Sequence, residues 1–284
     1  MLSRRWIINF LLIVLIVLFT YIGNRFDVKT GYQPPQSITG LKPELIQTVE
    51  VRTADATLSL AREDKLWFLQ SPIRWPANNV SVERLLKIVS SESDSRLNAD
   101  EIDLATLGLD FPKAMLSLND TRVLFGATNN IGGRRYTMID STVYLLPDMY
   151  LPFLSQGLLG IVDRRLLPGS FRLQSLKLPG LEISREAGDQ WRLAGPGEFT
   201  PQQLQRLVNN WQGLEASRIM QFDSVGTPRQ KIEALLEGGE RHEFFLMSID
   251  PEIVIANPGI GLQYHFRADL YYELMDLRSD ENPA

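Results

Sequence analysis

Trp67-Phe68-Leu69-Gln70-Ser71-Pro72 and Trp191-Arg192-Leu193-Ala194-Gly195-Pro196 are the two stretches on which the reading of this chain turns. Each follows an alternating, strand-like run that ends in an Arg-Glu pair. The run is Leu58, Leu60, Arg62, Glu63 in the first and Leu181, Ile183, Arg185, Glu186 in the second. Each stretch leads to a segment whose apolar residues recur at i, i+3, i+4 and i+7, the stripe of a helix with one buried face. Val82, Leu85, Leu86 and Val89 have counterparts 122 residues on in Leu204, Leu207, Val208 and Trp211. The Trp and Pro pairs lie 124 residues apart, and Asp148-Met149-Tyr150 lies 121 residues before Asp269-Leu270-Tyr271. Unchanged order with an offset that drifts by a few residues indicates a unit copied in tandem. The period is far longer than the roughly 20–50 residues of solenoid repeats.

Working outward, Ile46–Val51, Thr57–Ala61 and Leu66–Gln70 alternate like strands, the last two turning at Glu63-Asp64-Lys65. Pro72 and Pro76 are expected to stop the sheet, and Asn78 or Asn79 to cap the helix. Further strands are expected at Ala114–Leu118, Thr121–Phe125, Tyr136–Ile139 and Val143–Leu146, with Gly126–Gly133 as a hairpin loop. In the second unit Thr200-Pro201-Gln202-Gln203 has the form of a capping box with proline at the first helical position. The expected domains are 1–23 signal anchor, 24–45 linker, 46–154 first α+β repeat, 155–171 connector, 172–276 second α+β repeat and 277–284 flexible tail. The expected fold class is α+β: an N-terminal transmembrane helix, then two tandem homologous lobes of antiparallel sheet plus helix.

The anchor is read from Trp6 to Ile22, apolar except for Asn9 and Thr20 and preceded by Arg4 and Arg5. As a helix it would reach roughly 25 Å, near the lower limit for a bilayer span. Trp6 and Tyr21 sit at its ends, where amphipathic rings favour the headgroup level. A cleaved signal peptide lacks a small-residue cleavage site, and Ser3-Arg4-Arg5 resembles a twin-arginine signal leading an unusually greasy core. A retained anchor places the large C-terminal part outside the cytoplasm of a bacterial inner membrane.

The net charge of −5 argues against nucleic acid as a partner, since such binding requires clustered positive charge. With no cysteine in the chain, disulfides, thiolate nucleophiles and Cys-based metal sites are excluded. His242 and His265 fall in no ligand spacing, and no Gly-x-Ser-x-Gly elbow or Walker pattern occurs. Gly195-Pro196-Gly197 before a helix reads as a turn, because the proline removes an amide donor. No catalytic residue, cofactor or metal is therefore assigned. Arg96 and Arg218, one per lobe, are candidate anion or partner contacts, as are Arg164 and Arg165 in the connector. Each of the first two is expected to end a helix and to pair with Glu63 or Glu186, which would make it framework. Trp67, Pro72, Trp191 and Pro196 are expected to be structural, the tryptophans packing helix on sheet.

Several pieces in fixed order resemble a bacterial family known only as a domain of unknown function, DUF4340. They are Trp67-x-Leu69-x-x-Pro72, Leu107-Gly108-Leu109-Asp110-x-Pro112, Gly126 with Gly133-x-x-Tyr136, Val143-Tyr144-Leu145-Leu146, and Asp163-Arg164-Arg165-Leu166-Leu167. In the second copy the Gly-Leu-Asp-x-Pro piece is reduced to Val225-Gly226-Thr227-Pro228. The resemblance implies a membrane-anchored extracytoplasmic protein, with some relatives accompanying ABC-type export systems of the gliding-motility kind. It implies no catalytic residues. The expected function is that of an accessory or scaffold subunit of an ABC-type transporter or other envelope complex, not an enzyme. Two other readings stand beside it: a module binding an envelope lipid, glycan or peptide in the cleft between lobes, and a hydrolase with carboxylates gathered from distant loops.

Overall fold

The computed structural model describes residues 6, 12–18, 36–186, 190–195, 197–222 and 228–276. The chain enters at β1 (Gln36–Ser37), paired with β6 (Glu92–Ser93) in a small two-stranded sheet. A meander follows: β2 (Thr48–Thr53), β3 (Thr57–Glu63) and β4 (Leu66–Ser71), with β5 (Trp75–Pro76) added on the outer edge of β4. Alternation drives Val49, Val51, Leu58, Leu60, Trp67 and Leu69 into the core. Asp64 and Lys65 take positive φ at the β3–β4 turn, as tight two-residue hairpins require. Helix α1 (Asn79–Leu86) starts where Asn78 Oδ1 accepts from the Ser81 N–H at 3.0 Å, and it buries Val82, Leu85 and Leu86.

The remaining strands of this sheet are β7 (Arg96–Asn98), β8 (Ala114–Leu118), β9 (Thr121–Thr128), β10 (Arg134–Ile139) and β11 (Thr142–Pro147). Their order is β5-β4-β3-β2-β8-β9-β10-β11-β7, antiparallel throughout. Two short helices, α2 (Tyr150–Leu154) and α3 (Leu158–Ile161), lead into the connector.

The second large sheet is built from β12 (Leu173–Leu178), β13 (Leu181–Arg185), β14 (Trp191–Leu193), β15 (Arg218–Gln221), β16 (Gln230–Leu236), β17 (Arg241–Ser248), β18 (Glu252–Asn257) and β19 (Leu262–Arg267). Its order, β14-β13-β12-β16-β17-β18-β19-β15, is that of the first sheet once β5 is set aside. Helix α4 (Pro201–Gly213) occupies the place of α1 and carries the capping box, Thr200 N–H to Gln203 Oε1 at 2.8 Å and Gln203 N–H to Thr200 Oγ1 at 3.3 Å. It buries Leu204, Leu207, Val208 and Trp211, and α5 (Tyr271–Met275) packs against it through Trp211 Nε1–H to the Leu274 carbonyl at 2.7 Å. The register places Arg62 opposite Trp67 and Arg185 opposite Trp191. Each guanidinium stands over its indole, at 5.9 and 5.4 Å from the ring centroid.

The expected α+β fold with a transmembrane helix is corrected by this architecture. The described chain is mostly antiparallel β, in three sheets, and most of its helices are one or two turns long. The reading went wrong where strands carry little alternation or sit beside proline. β5 contains Pro76, which was expected to end the sheet, and Arg96 and Arg218 lie on the edge strands β7 and β15 rather than at helix ends. Among the described residues no helix is long and apolar enough to cross a membrane. Of the expected anchor from Trp6 to Ile22, residues 6 and 12–18 are described and are helical, and the rest of it lies outside the described residues. Trp6 is helical and exposed; Tyr21, Pro196, the Val225-Gly226-Thr227 piece, most of the expected linker and the 277–284 tail lie outside the described residues.

The Leu107-Gly108-Leu109 piece has a physical purpose. It lies against β9, where Ala127 N–H donates to the Leu107 carbonyl at 2.7 Å, and Gly108 takes φ +65°. A Cβ on Gly126 would sit 2.4 Å from the Leu107 carbonyl oxygen, so only glycine lets the loop approach β9. Gly126→Ala is expected to destabilise the fold by about 1–3 kcal/mol through this backbone overlap. Equilibrium urea unfolding checks it, and an unchanged midpoint would show that the loop yields freely.

Candidate functional site at the junction of the two sheets

Asp163-Arg164-Arg165-Leu166-Leu167 joins the two large sheets, and with the two residues before it is bonded through its backbone to β5 and the residues after it on one side and to the end of α4 and the residues after it on the other. On the first side, Asn78 N–H donates to the Ile161 carbonyl at 2.7 Å, Val162 bridges Ala77, and Asp163 N–H donates to the Pro76 carbonyl at 3.1 Å. On the second, Ala216 N–H donates to the Arg164 carbonyl at 2.9 Å, Arg165 bridges Glu215, and Leu167 N–H donates to the Trp211 carbonyl at 3.1 Å. Leu166 and Leu167 are fully buried, so the apolar half of the motif fills core while its polar half faces the seam.

The side chains complete the tie. The buried Asp163 carboxylate accepts from the Arg165 N–H at 3.0 Å and from Arg165 Nε at 2.9 Å, and Arg165 Nη2 pairs with its other oxygen. That hydrogen bonding raises the Arg165 pKa, outweighing the desolvation that opposes it. Arg164 points the other way, with Nε donating to the Ala216 carbonyl at 2.9 Å and Nη2 to the carbonyls of Ala216 and Ser217. A cavity of about 290 Å3 opens beside the Asp163–Arg165 pair, bounded by Trp67, Pro76, Asn79 and Pro168.

Aromatic rings close the seam. Trp75 of β5 meets Phe171 of the connector edge-on at 4.9 Å and His242 of β17 at 5.1 Å. Burial lowers the His242 pKa, against the opposing pull of Glu240, whose carboxylate lies 3.3 Å from Nε2 without hydrogen-bond geometry. Tyr264 is wholly buried, and burial first, then the negative charge of Asp163, pushes its phenol far above the ordinary range. Its hydroxyl and the nearby indole N–H of Trp75 do not reach hydrogen-bond geometry with each other or with another described group.

The structure accounts for every candidate arginine. Arg164 and Arg165 are engaged as above. Arg96 donates to the Ser37 carbonyl at 3.1 Å and stands 5.7 Å over the Tyr144 ring. Arg218 pairs with Glu252 at 2.8 Å and lies 3.3 Å from His265 Nδ1. Glu63 and Glu186, the expected partners, instead pair with Arg74 at 3.0 Å and Arg192 at 2.7 Å. Trp67 and Trp191 are buried against their helices, and Pro72 follows a cis peptide bond. The four arginines are not gathered into one site: two are at the seam and two on separate sheet edges. Sequence reasoning missed Trp75, which lies in the stretch expected to stop the sheet, and the part His242 plays at the seam. Among the described residues no three His, Cys, Asp or Glu side chains are grouped to hold a metal.

The arrangement can lock two sheets together, and its polar groups are consumed in doing so. The family model described as Domain of unknown function (DUF4340) matches residues 67–234, more than half of the chain and centred on this junction. No curated protein and no solved structure matches.

Two outcomes follow from the seam. Asp163→Ala leaves Arg165 without its carboxylate. Because Arg165 is about one-third exposed, the expected loss is about 2 kcal/mol, below the 3–5 kcal/mol typical of breaking fully buried pairs. Equal unfolding midpoints for variant and parent would contradict the tie. His242 titrates in the unfolded chain near 6.5 and lower in the folded one. Its contribution is therefore fully present above about pH 6.5 and is lost as pH falls through the lowered folded value. Stability measured from about pH 7.5 down to pH 5 should decline, and His242→Phe should remove that part of the slope; an unchanged slope would contradict the assignment.

Proposed function

We propose, for a chain that belongs to the DUF4340 family, the function of a non-catalytic docking subunit: a rigid pair of like-built β-sheets that holds protein partners in a fixed relation within a larger assembly. The observation that carries this reading is the use of the junction's charged groups. Arg164 and Arg165 spend their donors on Ala216, Ser217 and Asp163, so the residues best placed to recognise a ligand serve instead to fix the angle between sheets. A protein whose most specialised polar cluster sets the geometry of two large surfaces is suited to assembly. An envelope complex, in particular the ABC-type export system that the family resemblance suggests, is the partner to test first.

The alternative of a small-ligand module draws support from the cavity of about 290 Å3 at the seam, but the Arg165 fork that faces it already binds a carboxylate within the chain. An incoming anion would have to displace Asp163, a buried group with few other donors.

Tagged full chain, cross-linked in cells and recovered under denaturing conditions, is expected to carry transporter or other envelope subunits joined to residues on the sheet surfaces. Recovery without any cross-linked partner, under conditions in which a known complex is captured, would contradict the docking reading.

A further inference from the structure

The two sheets differ at one edge, and the difference exposes a place for an additional strand. In the first sheet the outer edge of β4 is covered by the chain itself. β5 pairs with it, Leu69 opposite Trp75 and Phe68 opposite Pro76. Ala77 N–H donates to the Trp67 carbonyl at 2.8 Å, and the Asn79 Oδ1 accepts from the Trp67 N–H at 2.9 Å. In the second sheet β14 is the last strand, and among the described residues nothing pairs with its outer side.

The hydrogen-bond pattern identifies which groups face out. Glu186 N–H donates to the Gln190 carbonyl at 2.8 Å, and Ala194 N–H donates to the Glu182 carbonyl at 2.7 Å. In an antiparallel ladder residues alternate between bonding to one neighbour and to the other. Gln190, Arg192 and Ala194 therefore use their backbone groups inward on β13, and Trp191 and Leu193 turn theirs outward. These are the counterparts of Trp67 and Leu69, the residues that β5 and Ala77 satisfy in the first sheet. Pro201 stands at the helix position of Asn79 and has no side-chain acceptor to offer Trp191.

The sequence offset records the same difference. Trp67 and Trp191 lie 124 residues apart, but the helices lie 122 apart, so the second copy is two residues shorter between its tryptophan and its helix. The missing length equals that of β5. Beside the uncovered edge, a cleft of about 440 Å3 runs between Trp191 and the Pro201, Gln205 and Asn209 face of α4.

We propose that the β14 edge is a docking site for an extended segment of a partner protein, which adds antiparallel as the strand that the second sheet lacks. The occupant is an aromatic-proline segment of the type Trp75-Pro76-Ala77, because that is the chemistry the chain itself lays on the equivalent edge. Its backbone accepts from the Leu193 N–H and donates to the Trp191 carbonyl, and its apolar side chains enter the cleft beside the indole. The proposal rests on the docking reading above and names the surface that performs it.

A synthetic peptide with the sequence of residues 73–79, labelled with a fluorophore and titrated with the full chain, serves as the probe. Saturable anisotropy is expected below about 1 mM peptide-binding strength, as suits a short strand. Leu193→Pro removes the outward amide while leaving a position that β13 does not use, and it is expected to weaken binding about tenfold. Leu193→Ala keeps the amide and should keep binding within about threefold. Thermal melting of both variants identifies any that fail to fold; should Leu193→Pro do so, the parent chain is titrated instead with the same peptide N-methylated at the residue corresponding to Ala77, which is expected to bind about tenfold more weakly, and equal binding of the two peptides overturns the proposal. Absence of saturable binding, or equal binding by the parent and Leu193→Pro, overturns the proposal. A dimer in sedimentation velocity that Leu193→Pro abolishes also overturns it, assigning the edge to a second copy. Partners that still cross-link to a folded Leu193→Pro chain leave the docking function intact and remove this edge as its site.

Discussion

Everything in this fold depends on a connector whose backbone is bonded at once to β5 of the first sheet and to the end of the helix that packs on the second. A peptide group buried between structural layers must find its hydrogen bonds there. From Ile161 to Asp163 those bonds go to Pro76, Ala77 and Asn78 at the end of β5, and from Arg164 to Leu167 they go to Trp211, Glu215 and Ala216 at and just after the end of α4. Displacing either sheet would leave several buried carbonyls and amides unpaired, each at a cost of about 1–3 kcal/mol. The Asp163–Arg165 pair and the Arg164 fork reinforce the same seam, and the rings of Trp75, Phe171 and His242 exclude water from it.

Two sheets with one strand order could have served the same purpose twice, but the copies have diverged at their edges. The first folds β5 onto its outer strand, and that strand supplies Trp75 to the seam. Among the described residues the second has no such strand, and the cleft beside Trp191 opens in its place. The Arg-over-Trp contact persists in both, because it belongs to the sheet–helix packing rather than to the junction. The divergence thus separates what holds each unit together from what joins the units to each other.

How far the chain could be read from its sequence follows from the range of the interactions concerned. The β3–β4 hairpin, the Asn78 cap and the Thr200–Gln203 capping box depend on residues within a few positions of one another, and their patterns were plain. β7 and β15 are held by neighbours far along the chain, β5 contains a proline, and the two to four residues of each carry too little alternation to announce a strand. Arg164 and Arg165 looked like free cations because their acceptors, Ala216, Ser217 and Asp163, are mostly backbone or remote. His242 lies in a charged turn-to-strand stretch, Gly239-Glu240-Arg241-His242-Glu243, and nothing local announces the packing of Trp75 and Phe171 against it. The apolar run after Arg5 suggests a membrane span from composition, and most of that run lies outside the described residues, among which no helix is long and apolar enough to cross a membrane.

The central claim, that the connector makes the two sheets one mechanical body, is tested most directly by native-state hydrogen exchange of the full chain. Amides that open only with the whole molecule report one common free energy, and independently opening units report different ones. The amides of Asn78 and Ala216 should exchange with the same free energy as the central amides of β9 and β17. Exchange of the Asn78 and Ala216 amides at a lower free energy, with β9 and β17 each showing a value of its own, would mean that the sheets move independently, and the account would fail.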